Sequence, residues 1–173
     1  MKKYFSNETL QQQFNAKGYV IIDLLDKNVI QELLHFYQET HQNGGEGFHC
    51  TLYNPDFSKK KHIDQKLKTM LSPIIKQHLS NFKPLIANFA VKEPQASGIN
   101  LHQDWCFVDE SKHFSLNIWL PLVDVDEKNG CYHVISGSHK IYRTFRGTNI
   151  PLSCQEIMPQ IDFQQMTRLE IKC

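Results

Sequence analysis

The sequence has almost no net charge: 19 lysines and arginines stand against 18 aspartates and glutamates, a formal balance of +1. A chain without a field of one sign has no electrostatic reason to bind nucleic acid or a charged membrane face, so neither is expected as a partner. Long apolar runs are also missing. No stretch approaches the roughly 18 apolar residues of a membrane span, and the basic opening Met1-Lys2-Lys3 has no apolar segment behind it. The five cysteines (Cys50, Cys106, Cys131, Cys154 and Cys173) are odd in number, irregularly spaced and free of any Cys-x-x-Cys, which argues against a disulfide framework and a zinc knuckle. Reduced thiols in a soluble, cytoplasmic protein are expected. There is no internal repeat. What remains is 173 residues, 40% apolar, enough for one core and read as a single domain over 1–173.

Helical signals come first. Ser6 or Asn7 can cap a short helix with Leu10 and Phe14 on its apolar stripe, and Gly18 sits where a left-handed residue ends it. Tyr19 to Ile22 reads as a strand. Asp26 caps a second helix, in which Val29, Ile30, Leu33, Leu34 and Tyr37 recur at helical spacing until Gly44-Gly45. A loop from Gly44 to Lys61 follows, its Lys59 to Lys61 run read as a solvated face. Helical spacing resumes at Ile63, Leu67, Met70 and Leu71, and Ser72-Pro73 looks like a cap and first-turn proline that restart another helix through Leu79.

From there the period becomes that of a strand. Pro84 to Val91 is a candidate, and Phe114, Leu116, Ile118 and Leu120 alternate with Ser115, Asn117 and Trp119 in the clearest two-residue repeat of the chain. Asn129-Gly130 closes a turn, Cys131 to Ile135 is a further strand, Ser136-Gly137-Ser138 is a tight turn, and Met166, Leu169 and Ile171 end the pattern. Helices followed by short strands without crossover helices predict a mainly β, α+β fold. Residues 1–82 form a helical flank with one strand, and 83–173 form an antiparallel barrel or jelly-roll core.

Chemistry concentrates at His102-Gln103-Asp104. Side chains two apart on an extended segment point the same way, so His102 and Asp104 can grip one metal ion. Mixed imidazole and carboxylate donors suit non-haem Fe(II), which takes a second histidine and keeps an open face. A hydrogen-bonded histidine–carboxylate pair in a core is the plain alternative. Gln103 points to the other face of an ideal strand, and Trp119 is as well explained by packing. A second His-x-Asp, His62-Ile63-Asp64, falls on a helix, where residues two apart do not share a face, and is read as a surface accident.

The surroundings of the triplet are more specific than the triplet. Lys92-Glu93-Pro94, His102-Gln103-Asp104, Trp119, Asn129-Gly130 and Gly137-Ser138-His139 stand in that order, after an opening Phe14…Gly18-Tyr19-Val20-Ile21. This series resembles the phytanoyl-CoA dioxygenase family of Fe(II)- and 2-oxoglutarate-dependent oxygenases, over about Phe14 to Lys140. The resemblance implies a double-stranded β-helix with His102 and Asp104 as iron ligands. It also implies that Gln103 and Trp119 contact 2-oxoglutarate, with Asn88 and Lys92 as further cofactor-binding candidates. The implied reaction hydroxylates a small organic substrate with O₂ while decarboxylating 2-oxoglutarate to succinate. Substrate-facing residues are expected in the loops Gly44 to Lys61 and Tyr142 to Gln160.

The sequence departs from the family's pattern near its end. No histidine follows His139, and Arg143, Arg146 and Arg168 are the arginines left to clasp the oxo acid. The expectation is a β-helix core lacking its last strands. The alternatives are a shortened, non-catalytic relative that binds a metal or small ligand, and a site closed by His139.

Overall fold

Asn7 opens the first helix. Its side chain accepts the Leu10 N–H at 3.1 Å, α1 runs over Glu8–Lys17, and Gly18 ends it at φ 85°, where a residue without Cβ is unstrained. The structure is a computed structural model and describes residues 3–41, 47–94, 96, 101–104, 106–141, 164 and 166–169. Helix α2, Lys27–Thr40, follows Asp26 and ends at His41. That is ahead of Gly44-Gly45, which lie outside the described residues.

The segment read as a loop holds structure of its own. Strand β1 is Phe48–Cys50, a 3₁₀ turn covers Thr51–Tyr53, and α3 begins at Phe57, capped by Asp56, whose carboxylate accepts the Lys59 N–H at 3.0 Å. Ser72-Pro73 does not restart a helix: α3 is continuous over Phe57–His78 with Pro73 inside it. Pro73 and Thr69, the residue whose carbonyl loses its partner, are both exposed, so water can satisfy that carbonyl.

The strand expectations contract. Tyr19 to Ile22 forms no ladder, and Pro84 to Val91 shrinks to β2, Ala90–Lys92, antiparallel to β1 with Phe48 opposite Lys92 and Cys50 opposite Ala90. Side chains of α3 and of the 3₁₀ turn take the place of a neighbouring strand for the residues before β2. Asp64 Oδ1 accepts the Ala87 N–H at 2.8 Å, Lys68 Nζ donates to the Leu85 carbonyl at 2.6 Å, and Thr51 Oγ1 accepts the Phe89 N–H at 3.0 Å. His62-Ile63-Asp64 is therefore no surface accident, since Asp64 ties helix to chain and Ile63 is core.

Phe114 to Leu120 forms no ladder either, and its burial does not alternate. Phe114 instead stacks on Tyr4 at 4.3 Å, in an aromatic cluster with Phe14 that holds the N-terminal segment against α1. Strand β3, Tyr132–Ile135, pairs antiparallel with β4, Met166–Leu169, with Tyr132 opposite Leu169. Ile171 lies outside the described residues. Between these strands, Gly137 at φ 80° leads into a 3₁₀ turn, Ser138–Lys140.

Leu33 and Phe36 of α2, Ile63 and Leu67 of α3, and Phe89 form the buried core. Helices of 10, 14 and 22 residues outweigh strands of 3 or 4 among the described residues, so the observed balance is mixed α and β rather than mainly β.

Candidate active site

His102, Gln103 and Asp104 occupy a half-buried stretch outside any helix or ladder. The alternation read from the sequence holds for the outer two. His102 Nε2 lies 3.4 Å from Asp104 Oδ1, with the side chains 21% and 40% exposed. Both donor atoms thus stand at one point that solvent reaches.

Tyr132, at the start of β3, adds a wall that sequence reasoning missed. Burial pushes its phenol above the ordinary tyrosine range, and the negative charge of Asp104 pushes it further. The same ring packs on Trp119, with centroids 4.3 Å apart. Asp104, Tyr132 and Trp119 are therefore brought together, while Gln103 is half-buried between the paired residues in sequence. The available signal for Tyr132 was its place just after the Asn129-Gly130 turn, too common a pattern to single it out.

Of the other two candidates, Lys92 ends β2 and Asn88 stands two residues before it. Lys92 is exposed on the strand and folds over the turn: a Cβ added at Gly130 would stand 3.4 Å from its Cδ and 3.6 Å from its Nζ. The ammonium thus sits two residues from Tyr132. Asn88 is turned to another task, its side-chain oxygen accepting the Cys50 thiol at 2.8 Å.

His139 is committed to α1. Its Nε2 lies 3.3 Å from the Asn15 carbonyl, and its ring fills the space a Cβ at Gly18 would need. Burial holds this imidazole below its ordinary range, against the opposing pull of the Asn15 carbonyl and with help from Lys140. Arg168, on β4, makes a two-pronged bond to Glu127 at 2.9 and 3.1 Å, and Arg143 and Arg146 lie outside the described residues. Among the described residues, no group of three His, Cys, Asp or Glu is placed to hold a metal ion.

The model of one protein family, phytanoyl-CoA dioxygenase, matches residues 14–167. The chain belongs to this family. No curated protein and no solved structure matches it. Family members typically use Fe(II) and 2-oxoglutarate, and the family implies a cupin-like β-helix. The matched span contains His102, Asp104, Trp119, Tyr132 and the Gly137 turn, so the residues brought together here all belong to the family region.

The donor set fits an iron ion as far as it is described. Two ligands side by side on one octahedral ion, with bonds of about 2.1 Å, stand about 3 Å apart, close to the 3.4 Å separating His102 Nε2 and Asp104 Oδ1.

Proposed function

We propose that this member of the phytanoyl-CoA dioxygenase family is an Fe(II)- and 2-oxoglutarate-dependent oxygenase that hydroxylates a small organic substrate, with His102 and Asp104 as two of its iron ligands. The observation that carries the reading is the 3.4 Å convergence of those two donors in a matched stretch of the family.

When bound, iron with 2-oxoglutarate and O₂ supplies the oxidation of a C–H bond coupled to decarboxylation of the oxo acid. The chain's own residues bind and orient. His102 offers Nε2 as a neutral nitrogen donor, and Asp104 supplies the negative charge that favours a divalent cation over water. Trp119 and Tyr132 pack on each other beside Asp104 and offer an aromatic wall there. Lys92, whose ammonium lies beside Gly130, is a candidate to offset a carboxylate of the oxo acid and Gln103 a candidate for a neutral hydrogen bond to it, while Asn88 could take part only by giving up its bond with Cys50. O₂ and the organic substrate complete the partners.

The test is coupled turnover. Protein loaded with Fe(II) and 2-oxoglutarate in air should release succinate, and His102→Ala should abolish the release. Iron binding without succinate release would favour the non-catalytic binder, and an undiminished His102→Ala protein would remove the assignment.

A further inference from the structure

The segment that leads into β2 is bonded along one edge. Leu85 offers its carbonyl to Lys68 Nζ, Ala87 its N–H to Asp64 Oδ1, and Phe89 its N–H to Thr51 Oγ1 and its carbonyl to the Thr51 N–H at 2.9 Å. Farther along, Val91 stands opposite His49, and the Glu93 N–H reaches the Gly47 carbonyl at 2.9 Å. Each of these bonds comes from an odd-numbered residue. Backbone groups of a strand alternate sides, so Ile86, Asn88 and Ala90 direct theirs to the other edge. Among the described residues that edge has no partner: β2 pairs with β1 alone, and no hydrogen bond reaches the main chain of Ile86, Asn88 or Ala90.

The edge is also open and largely apolar. Leu85 and Ile86 are 49% and 38% exposed, and Asn88 and Ala90 are exposed as well. An unpaired edge is a template for another strand, which proteins blunt with charge, proline or a bulge. Here such devices stand at the two ends. Pro84, which has no N–H to give, closes one, and Lys92, whose side chain folds over the Gly130 turn, closes the other.

The edge is complementary to itself. Two copies related by a two-fold axis run antiparallel, and outward groups on even-numbered residues allow registers that set even against even. An axis through Asn88 sets Ile86 against Ala90, Leu85 against Val91 and Ala87 against Phe89, apolar on apolar, while Lys83 meets Glu93 at both ends. Neither Lys83 nor Glu93 has an ion-pair partner among the described residues. Shifting the axis to Phe89 opposes Leu85 to Glu93, and shifting it to Ala87 opposes Lys83 to Val91, so charge complementarity selects the Asn88 register.

We infer that the chain forms a symmetric dimer in which the edges over 85–91 of two copies pair as antiparallel strands centred on Asn88. The ladder makes roughly six hydrogen bonds and joins the β1–β2 sheets of both copies into one.

Sedimentation equilibrium of the full chain at low salt tests this. The parent should associate to a dimer and no further, since the two-fold pairing uses up the edge. Ile86→Pro removes an outward N–H and none of the inward bonds, and should leave a monomer. Lys83→Glu opposes like charges at both ends and should weaken the dimer about tenfold. Adding Glu93→Lys to it should restore the parent affinity, and this pair of variants decides if Ile86→Pro does not fold. In amide hydrogen exchange, Ile86, Asn88 and Ala90 should gain protection as concentration rises, while Ala87 and Phe89 are protected throughout. A parent that stays monomeric, a dimer that Ile86→Pro leaves intact, unchanged affinity in Lys83→Glu, a charge swap that restores nothing, or outward amides indifferent to concentration would each overturn the inference.

Discussion

Burial and the Asp104 carboxylate act on the Tyr132 phenol in the same direction, both disfavouring the phenolate. Removing the charge leaves the burial. In metal-free protein, Asp104→Asn should therefore lower the Tyr132 titration toward the ordinary tyrosine value without reaching it, followed by NMR of ¹³Cζ-labelled tyrosine. An unchanged titration would place Asp104 away from the aromatic wall. At this scale the sequence was legible where geometry is local. His102 and Asp104 converge as the rule for alternate residues of an extended chain predicts, a rule that needs no knowledge of the fold. Tyr132 was not legible because its role depends on Asp104 and Trp119, which reach it from positions 28 and 13 residues earlier in the chain. Lys92 lay between these cases, since its motif marked it but its approach to Gly130 depends on how β2 meets a distant turn.

Elements that carry their own stop signals were read well, and those that borrow partners were not. Helix α1 starts and ends where Asn7 and Gly18 dictate, because cap and left-handed glycine act within one turn. In α3, Ser72-Pro73 gave a false restart, since the fold keeps the helix going and leaves the lost hydrogen bond on the exposed side. The segment before β2 has the apolar residues of a strand, yet α3 rather than another strand satisfies its backbone. Asp64 carries that link, bonded to the Ala87 N–H at 2.8 Å and to Lys68 Nζ at 2.7 Å. Asp64→Ala should cost about 1–3 kcal/mol in denaturant unfolding by leaving the Ala87 N–H without its acceptor. Asp64→Asn, which keeps an oxygen there, should cost less. Equal losses would assign the effect to charge alone.

For the whole molecule, the ordered series of motifs was a better guide than periodicity. It named the family that matches residues 14–167, while the two-residue period of Phe114 to Leu120 predicted a strand the structure does not have. Phe114 packs on Tyr4 and on Phe14 of α1, Trp119 of the opposite phase packs on Tyr132, and Ile118 is exposed, so this stretch serves two separate aromatic clusters instead of one sheet face. The helical flank was equally underestimated, because β1 and the first turn of α3 fall in a glycine- and lysine-rich stretch that looks like a loop. The central claim remains that His102 and Asp104 together hold iron on this scaffold. Its most direct test is an anaerobic titration of the chain with Fe(II) and 2-oxoglutarate, following the metal-to-ligand charge-transfer absorption that forms when the oxo acid chelates the metal. With His102 and Asp104 as ligands, the band should appear with the parent chain and be lost in Asp104→Ala. A band of undiminished strength in Asp104→Ala, or none in the parent, would contradict it.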